Sequence, residues 1–208
     1  MPRIVCLSDT HNYHDRIAVP SGDILIHAGD ATGRGTAREI AAFNEWFAAL
    51  PHRFKVFVAG NHDWLFETDN SAARKLLDDS ILYLQDSAIF IEGLKIYGAP
   101  WQPRFYDWAF NLNRGREMAE KWSLIDKNTD VLITHGPPFG ILDETPAGDR
   151  AGCEELRKTI ARIRPRAHIF GHIHHGYGTT EKFGVNFFNA SICDESYAPV
   201  NAPIVFDL

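Results

Sequence analysis

Seven side chains of metal-ligating type stand just past short apolar runs in this sequence: Asp9, His11, Asp30, Asn61, His135, His172 and His174. They fall in five blocks: Asp9-Thr-His11, Gly29-Asp30, Gly60-Asn-His-Asp63, His135-Gly-Pro-Pro138 and Gly171-His-Ile-His174. One Asp-x-His or one Gly-Asp is an ordinary turn. Five turns that all deliver carboxylate, imidazole or amide groups read as one assembled site. Oxygen and imidazole donors without thiolate suit Mn, Fe, Zn or Co rather than copper(I) or an iron–sulfur cluster. Seven donors exceed the needs of one ion, so two divalent cations are expected. Asp30 has two oxygens and can bridge them, while Asn61 adds a carbonyl oxygen without charge. Asp9 and His11, in a turn expected to be extended, would chelate one ion, and His172 and His174 could each reach a different one.

Charge then selects the chemistry. The chain carries a net charge of −6, so an anionic substrate needs a local positive centre. Two dications less two aspartates and one shared hydroxide leave about +1, enough to attract a phosphate ester. Such a pair suits in-line attack by that hydroxide on phosphorus. His62 is expected to be the general acid for the leaving oxygen, with Asp63 hydrogen-bonding its ring and favouring the imidazolium. Between Pro100 and Arg114 the chain is rich in aromatics and arginine. That stretch either lines a substrate cleft or packs over the core, and Asn113 and Arg114 are candidate substrate contacts. His27 and His168 lie inside apolar strands and read as satisfied core residues. His14 and His52 read as loop residues, and His175 as facing solvent.

The elements that would position these groups are legible as well. Arg3–Ser8, Asp23–Ala28, Phe54–Ala59, Asp130–Thr134 and Ala167–Phe170 are short, mostly continuous apolar runs, as in sheets buried on both faces. Thr36-Ala-Arg-Glu39 is a capping box ahead of Ile40, Phe43, Phe47 and Leu50, with Pro51 as the stop. Asn70 or Ser71 is expected to cap a helix through Leu77, and further helices are expected over 115–125 and 152–163. Shorter β segments follow Ile81 and fill the C-terminal third. The expected architecture is a single α/β domain over 1–208, with two sheets face to face and helices outside; one doubly wound sheet is the alternative. Either would gather the polar residues beyond the strand ends along one edge. Gly29, Gly60 and Gly171 would let the chain turn there.

Composition narrows the class. Hydrophobic residues make up 45% and charged residues 23% of the chain, an ordinary globular profile. No basic field points to nucleic acid, and no apolar run approaches the ~20 residues of a membrane span. Cys6, Cys153 and Cys193 show no CxxC spacing and are expected to be reduced and buried in a cytoplasmic protein. A monomer or small homo-oligomer acting on a small phosphoester is expected.

The five blocks, in this order over residues 9 to 174, resemble the calcineurin-like metallophosphoesterase superfamily. That resemblance implies a four-layer α/β/β/α sandwich and a dinuclear centre. It assigns Asp9, His11, Asp30 and His174 to one metal, and Asp30, Asn61, His135 and His172 to the other, with Mn or Fe/Mn favoured over Zn, Co or Ni. It also makes His62 the acid, with Asp63 behind it. GDILIHAGD, YGAPWQPRF, FNLNRG, THGPP and GHIHHGYG are similar to the vertebrate-brain metallophosphoesterase-domain branch. This branch resembles class III cyclic-nucleotide phosphodiesterases, which implies hydrolysis of small phosphodiesters. The alternatives are a phosphomonoesterase or protein phosphatase with the same metals, and a non-catalytic metal- or nucleotide-binding module.

Overall fold

The apolar runs become parallel strands in two sheets that pack face to face. The computed structural model describes residues 1–208. In chain order, β1 (Arg3–Leu7) and β2 (Ile24–His27) are followed by α1 (Ala37–Ala49) and β3 (Phe54–Phe57). Two short helices, α2 (Leu65–Thr68) and α3 (Asn70–Arg74), lead to β4 (Ile81–Tyr83). Then come the hairpin of β5 (Ser87–Ile91) with β6 (Leu94–Ala99), and a small two-stranded pair, β7 (Gln102–Pro103) with β8 (Asn111–Leu112). The remainder is α4 (Arg116–Ser123), β9 (Val131–Thr134), α5 (Glu154–Ile163), β10 (Ala167–Phe170), β11 (Gly178–Lys182), β12 (Val185–Asn189) and β13 (Ile204–Asp207). One sheet runs β13-β1-β2-β3-β4 and the other β11-β12-β10-β9-β6-β5.

Alternation along each buried strand divides the core into three apolar layers. Ile4, Cys6, Ile24, Ile26 and Val56 meet Ile96, Val131, Ile133 and Ile169 between the sheets. Val5, Leu7, Leu25 and Phe57 turn outward onto Ile40, Phe43, Phe47 and Phe66. On the far side, Leu132, Phe170 and Phe187 meet Met118, Trp122, Leu156 and Ile160. The order of layers is therefore α/β/β/α, the first of the two expected architectures. Each fully buried large side chain contributes about 1.5–3 kcal/mol.

The helices mostly obey their sequence signals. Thr36 Oγ1 accepts the Glu39 N–H while the Glu39 carboxylate accepts the Thr36 N–H, so the capping box forms. The helix expected from Asn70 to Leu77 is different: Asp69 caps it, accepting the Ala72 N–H at 3.0 Å, and it ends at Arg74. The Asn70 amide is instead engaged with Phe66 O and Gln85. For α5 the cap is the Cys153 thiol, which accepts the Leu156 N–H. It stops at Arg164, left-handed at φ 49°, because Pro165 disfavours a helical residue before it. His52 lies in the loop before β3, as expected, and His14 in a short 3-10 turn, and both are buried. No helix is long and apolar enough to cross a membrane.

Register puts the strand ends level. Leu7 pairs with His27 and His27 with Phe57 in one sheet. In the other sheet Ala99 pairs with Thr134 and Ile133 with Ile169. Parallel strands in register all end at one edge, so the turns beyond them face a common space.

Candidate metal centre

At that edge, backbone strain marks the residues that face inward. Asp9 (φ 54°), His11 (φ 42°), Asp30 (φ 54°) and His172 (φ 68°) are all left-handed. The turn carrying Asp9 and His11 is therefore not extended, and the two are brought together by a tight coil. Each such residue costs about 1–2 kcal/mol, a cost that clusters at functional sites. Glycines serve two purposes here. Gly29 adopts φ 106°, whereas Gly171 has ordinary dihedrals and is needed because a Cβ there would collide with the Asp9 carboxylate and Ser8.

Backbone N–H groups anchor both aspartates, and at Asp30 one oxygen is left wholly for the site. The His172 N–H donates to Asp9 Oδ2 at 3.0 Å, as does the Ser191 hydroxyl at 2.9 Å. The His62 N–H donates to Asp30 Oδ1 at 2.8 Å. Asp9 Oδ1, a second and longer acceptor for the His172 N–H at 3.2 Å, lies 3.4 Å from His174 Nε2 and 3.9 Å from His11 Nε2. Asp30 Oδ2 lies 3.4 Å from His135 Nε2, 3.8 Å from His11 Nε2 and 3.9 Å from His62 Nε2. The Asn61 side-chain oxygen is 2.9 Å from His135 Nε2.

Three trios result: Asp9 with His11 and His174, His11 with Asp30 and His62, and Asp30 with His135 and His172. The donor atoms of each lie within 4.8 Å of one another. Asp30 and His11 each belong to two trios, and it is the carboxylate, with Oδ2 3.8 Å from His11 Nε2 and 3.4 Å from His135 Nε2, that stands between the two groups of donors as a bridging ligand must. All seven expected ligands are thus brought together.

Carbonyl oxygens orient the rings. Because a carbonyl only accepts, Nδ1 carries the hydrogen wherever it meets one: His174 Nδ1 on Asp194 O, His135 Nδ1 on Ala28 O and His62 Nδ1 on Gly33 O. This leaves each Nε2 aimed into the site, the tautomer a metal-ligating histidine uses.

The electrostatics favour cations. Burial opposes ionisation of both aspartates, yet the neighbouring histidines hold them well below the usual carboxylate range. Burial likewise opposes charge on His135 and His174, but Asp30 and Asp9 respectively outweigh it and raise each to about 9. Burial, reinforced at His172 by His135, keeps His11 (about 4) and His172 (about 3) neutral with a lone pair exposed. His11 and His174 present Nε2 atoms to each other at 3.3 Å, and His11 Nδ1 is buried without a hydrogen-bond partner. Two ionised carboxylates and converging imidazole nitrogens fit divalent cations, which would replace the protons.

The structure corrects one role. Asp63 does not touch the His62 ring. Its carboxylate accepts from the N–H groups of Gly60, Ala31 and Thr32 and from the Thr32 hydroxyl. Burial, with Asp30 nearby, raises Asp63 to about 6. It ties the turn after β2 to the turn after β3. What fixes the His62 ring is Gly33 O on its edge and Trp108 on its face, with centroids 4.1 Å apart and planes at 25°.

The aromatic stretch divides between both expected uses. Trp101 and Phe110 pack on the core, whereas Trp108 lies on His62 and Phe105 stands edge-on to His172 at 5.7 Å. A cavity of about 360 Å³ opens beside the centre, lined by Phe105, Arg114, Pro146, His172, His174 and Glu195 among others. Arg114 is at this wall. Asn113 is not, because its side chain and backbone N–H are both bound by Glu117. The depression around Met1, Arg3, Asp23 and Asp207 holds no site residue.

Sequence reasoning missed Tyr197. Left-handed at φ 59° and 44% exposed, it sets its ring 4.7 Å from His11 and 5.5 Å from His174. It also missed Ser191, which braces Asp9. Neither stands in a block with a ligand. His27 is fully satisfied by Thr10 and the Gly29 N–H, while His168 bonds Thr134 through one nitrogen only. His175 is exposed and Cys6, Cys153 and Cys193 are free and buried, as expected.

Known proteins resemble this chain. A family model described as calcineurin-like phosphoesterase matches residues 2–176. Human Metallophosphoesterase domain-containing protein 1 is 46% identical over 231 aligned residues, covering 99% of this chain and 71% of its own length. The mouse protein of that name matches to the same extent. Among solved structures, the phosphopantetheinyl hydrolase (PptH) of Mycobacterium tuberculosis superposes with a TM-score of 0.63 at 16% identity, covering 97% of this chain and 95% of that one. That last likeness bears on the fold alone. With the blocks, the layers and the family match in agreement, this chain belongs to the calcineurin-like phosphoesterase family, the metal-dependent phosphoester hydrolases.

Proposed function

We propose that this protein is a dinuclear phosphodiesterase acting on small phosphodiesters, nucleoside cyclic phosphates included. Asp9, His11, Asp30 and His174 would hold one divalent cation, and Asp30, Asn61, His135 and His172 the other. Mn or an Fe/Mn pair is favoured, with Zn, Co and Ni as alternatives. When bound, such a pair neutralises phosphoryl oxygens and makes hydroxide available near neutral pH.

The remaining work falls to the chain. His62 keeps Nδ1–H on the Gly33 carbonyl and directs Nε2 toward Asp30, 3.9 Å from Oδ2. It can therefore hold a proton at Nε2 for the departing alkoxide, while Trp108 fixes the plane of the ring. Tyr197 stands edge-on to His11 and His174 and Phe105 edge-on to His172, so aromatic rings flank the histidine cluster. Phe105, Pro146 and Ile173 give the adjoining cavity apolar surface for an organic group. His62 is not among the residues lining that cavity, so the oxygen it protonates lies outside it, as a departing alcohol or, in a cyclic phosphate, as the hydroxyl freed by ring opening. The cavity then receives the part of the substrate that stays esterified, which a monoester lacks.

The observation that carries this reading is the place of Asp30 Oδ2 between the two groups of donors, 3.8 Å from His11 Nε2 and 3.4 Å from His135 Nε2, with the His62 nitrogen facing the same oxygen. The test is a substrate panel on protein reconstituted with each metal. Bis-p-nitrophenyl phosphate and nucleoside 2′,3′- and 3′,5′-cyclic phosphates should turn over faster than p-nitrophenyl phosphate. Faster monoester hydrolysis would instead make this a phosphomonoesterase, and no hydrolysis with any metal would leave a binding module.

A further inference from the structure

Arg114 stands on the cavity wall that His172 and His174 share, and three of its hydrogen bonds are already made. Nη1 donates to Gly152 O at 2.7 Å and to Glu154 Oε2 at 2.6 Å, and Nη2 donates to Ala151 O at 2.9 Å. A guanidinium has five N–H groups. Both hydrogens of Nη1 and one of Nη2 are therefore committed, and Nε–H and the second Nη2–H meet no acceptor in the protein. Nε and Nη2 share one edge of the planar guanidinium, and with the Ala151 carbonyl on the Nη2 hydrogen remote from Nε that edge presents two parallel N–H groups at the spacing of two oxygens of a carboxylate or phosphate.

This fork is set in advance. Three acceptors on the segment from Ala151 to Glu154 hold the side chain, so little rotamer freedom remains to be lost on binding. Glu154 sits at the other edge of the guanidinium, and both side chains are 44% exposed, where their mutual charge is well screened. Along the cavity wall, Arg104 and Arg114 face one carboxylate, Glu195, whose Oε1 accepts the His175 N–H. Arg104 is paired with Asp107 at 3.3 Å and Arg114 with Glu154, so the pull on an anion comes from the open N–H groups of Arg114 rather than from a surplus of positive charge.

We propose that Arg114 is a specificity-determining residue that receives a second anionic group, a carboxylate or phosphate, at the far end of the retained arm of the diester. This rests on the diesterase reading above and narrows it to substrates with two negative centres: the diester phosphate at the metals, and a terminal anion at Arg114.

The experiment uses three p-nitrophenyl phosphodiesters whose second arms have equal length and end in carboxylate, phosphate or an uncharged hydroxyl. On the metal-loaded wild-type protein, kcat/KM for the anionic arms should exceed that for the neutral arm about tenfold, mainly through KM, and the gap should shrink with salt. The two anionic arms tell a carboxylate preference from a phosphate preference. In Arg114→Gln the gap should collapse to about twofold or less, and Arg114→Lys, which keeps charge but not the fork, should recover only part of it. Equal rates for all three arms on the wild-type protein would overturn the proposal, whatever the fate of the variants. So would Arg114→Gln slowing all three arms in equal proportion. If the wild-type protein cleaves none of them, the diesterase reading itself fails and takes this proposal with it.

Discussion

Along β1, Ile4 and Cys6 fill the apolar layer between the sheets, while only a few residues on Asp9 is an ionised carboxylate, just as buried, on a left-handed backbone. The same contrast recurs beyond β2 and β10, at Asp30 and His172, whereas Asn61 and His135, beyond β3 and β9, are buried without left-handed dihedrals. Strand bodies bury side chains that water rejects and keep ordinary dihedrals; rim turns bury side chains that water would solvate, at Asp9, Asp30 and His172 in dihedrals the backbone resists. Stability is concentrated in the first region and released in the second. The rim can be strained and charged because the layers beneath it are well packed. Removing a rim group should therefore harm chemistry far more than folding, except where that group ties one turn to another.

The largest departure is expected at Asp30. Asp30→Ala should abolish turnover and lower bound metal from two ions per chain to one or fewer, read by elemental analysis, without loss of the cooperative melt. Two tightly held ions in that variant would break the shared-ligand account. His62→Ala comes next: turnover should fall roughly 10²–10⁴-fold with both metals retained, and full activity in metal-loaded variant would remove its role as acid. Asp63→Ala tests the boundary between the regions. Leaving the buried N–H groups of Gly60, Ala31 and Thr32 without an acceptor should cost about 3 kcal/mol and lower Tm by about 10 °C. Were Asp63 acting on the His62 ring instead, activity would drop at unchanged Tm.

The smallest effect belongs to the strand bodies and depends on pH. Burial holds His168 neutral, with a pKa of about 3 against 6.5 for the free side chain. As pH falls through 6.5 the unfolded chain takes up a proton that the native state refuses until about pH 3. Stability is therefore lost across that window, by about 2 kcal/mol between pH 7 and pH 5. Urea unfolding of metal-free protein should show that loss reduced in His168→Gln. An unchanged pH dependence would mean that His168 is charged or solvated in the folded protein.

The helix caps show where sequence reading reaches its limit. Thr36-Ala-Arg-Glu39 forms its box because all its partners are within three residues. Asp69 displaced Asn70 as a cap because Gln85, from a distant turn, claims the Asn70 amide. The site divides in the same way. Its ligands were legible because each follows an apolar run with a turn glycine or in a tight motif. Asp63 was misread because adjacency to His62 says nothing about Thr32 and Ala31, which reach it from another strand. Tyr197 was missed because it lies in no block and approaches His11 only through the C-terminal loop.

The amino-acid order alone determined the apolar strands, the family pattern and the donor chemistry, since periodicity and side-chain type are local properties of the chain. Tertiary structure decided which oxygen of Asp30 stays free, which ring nitrogen faces the site, and that Arg114 keeps open N–H groups at the cavity wall. These depend on hydrogen bonds between segments far apart in sequence, and only the packing of two sheets in register brings those partners within reach.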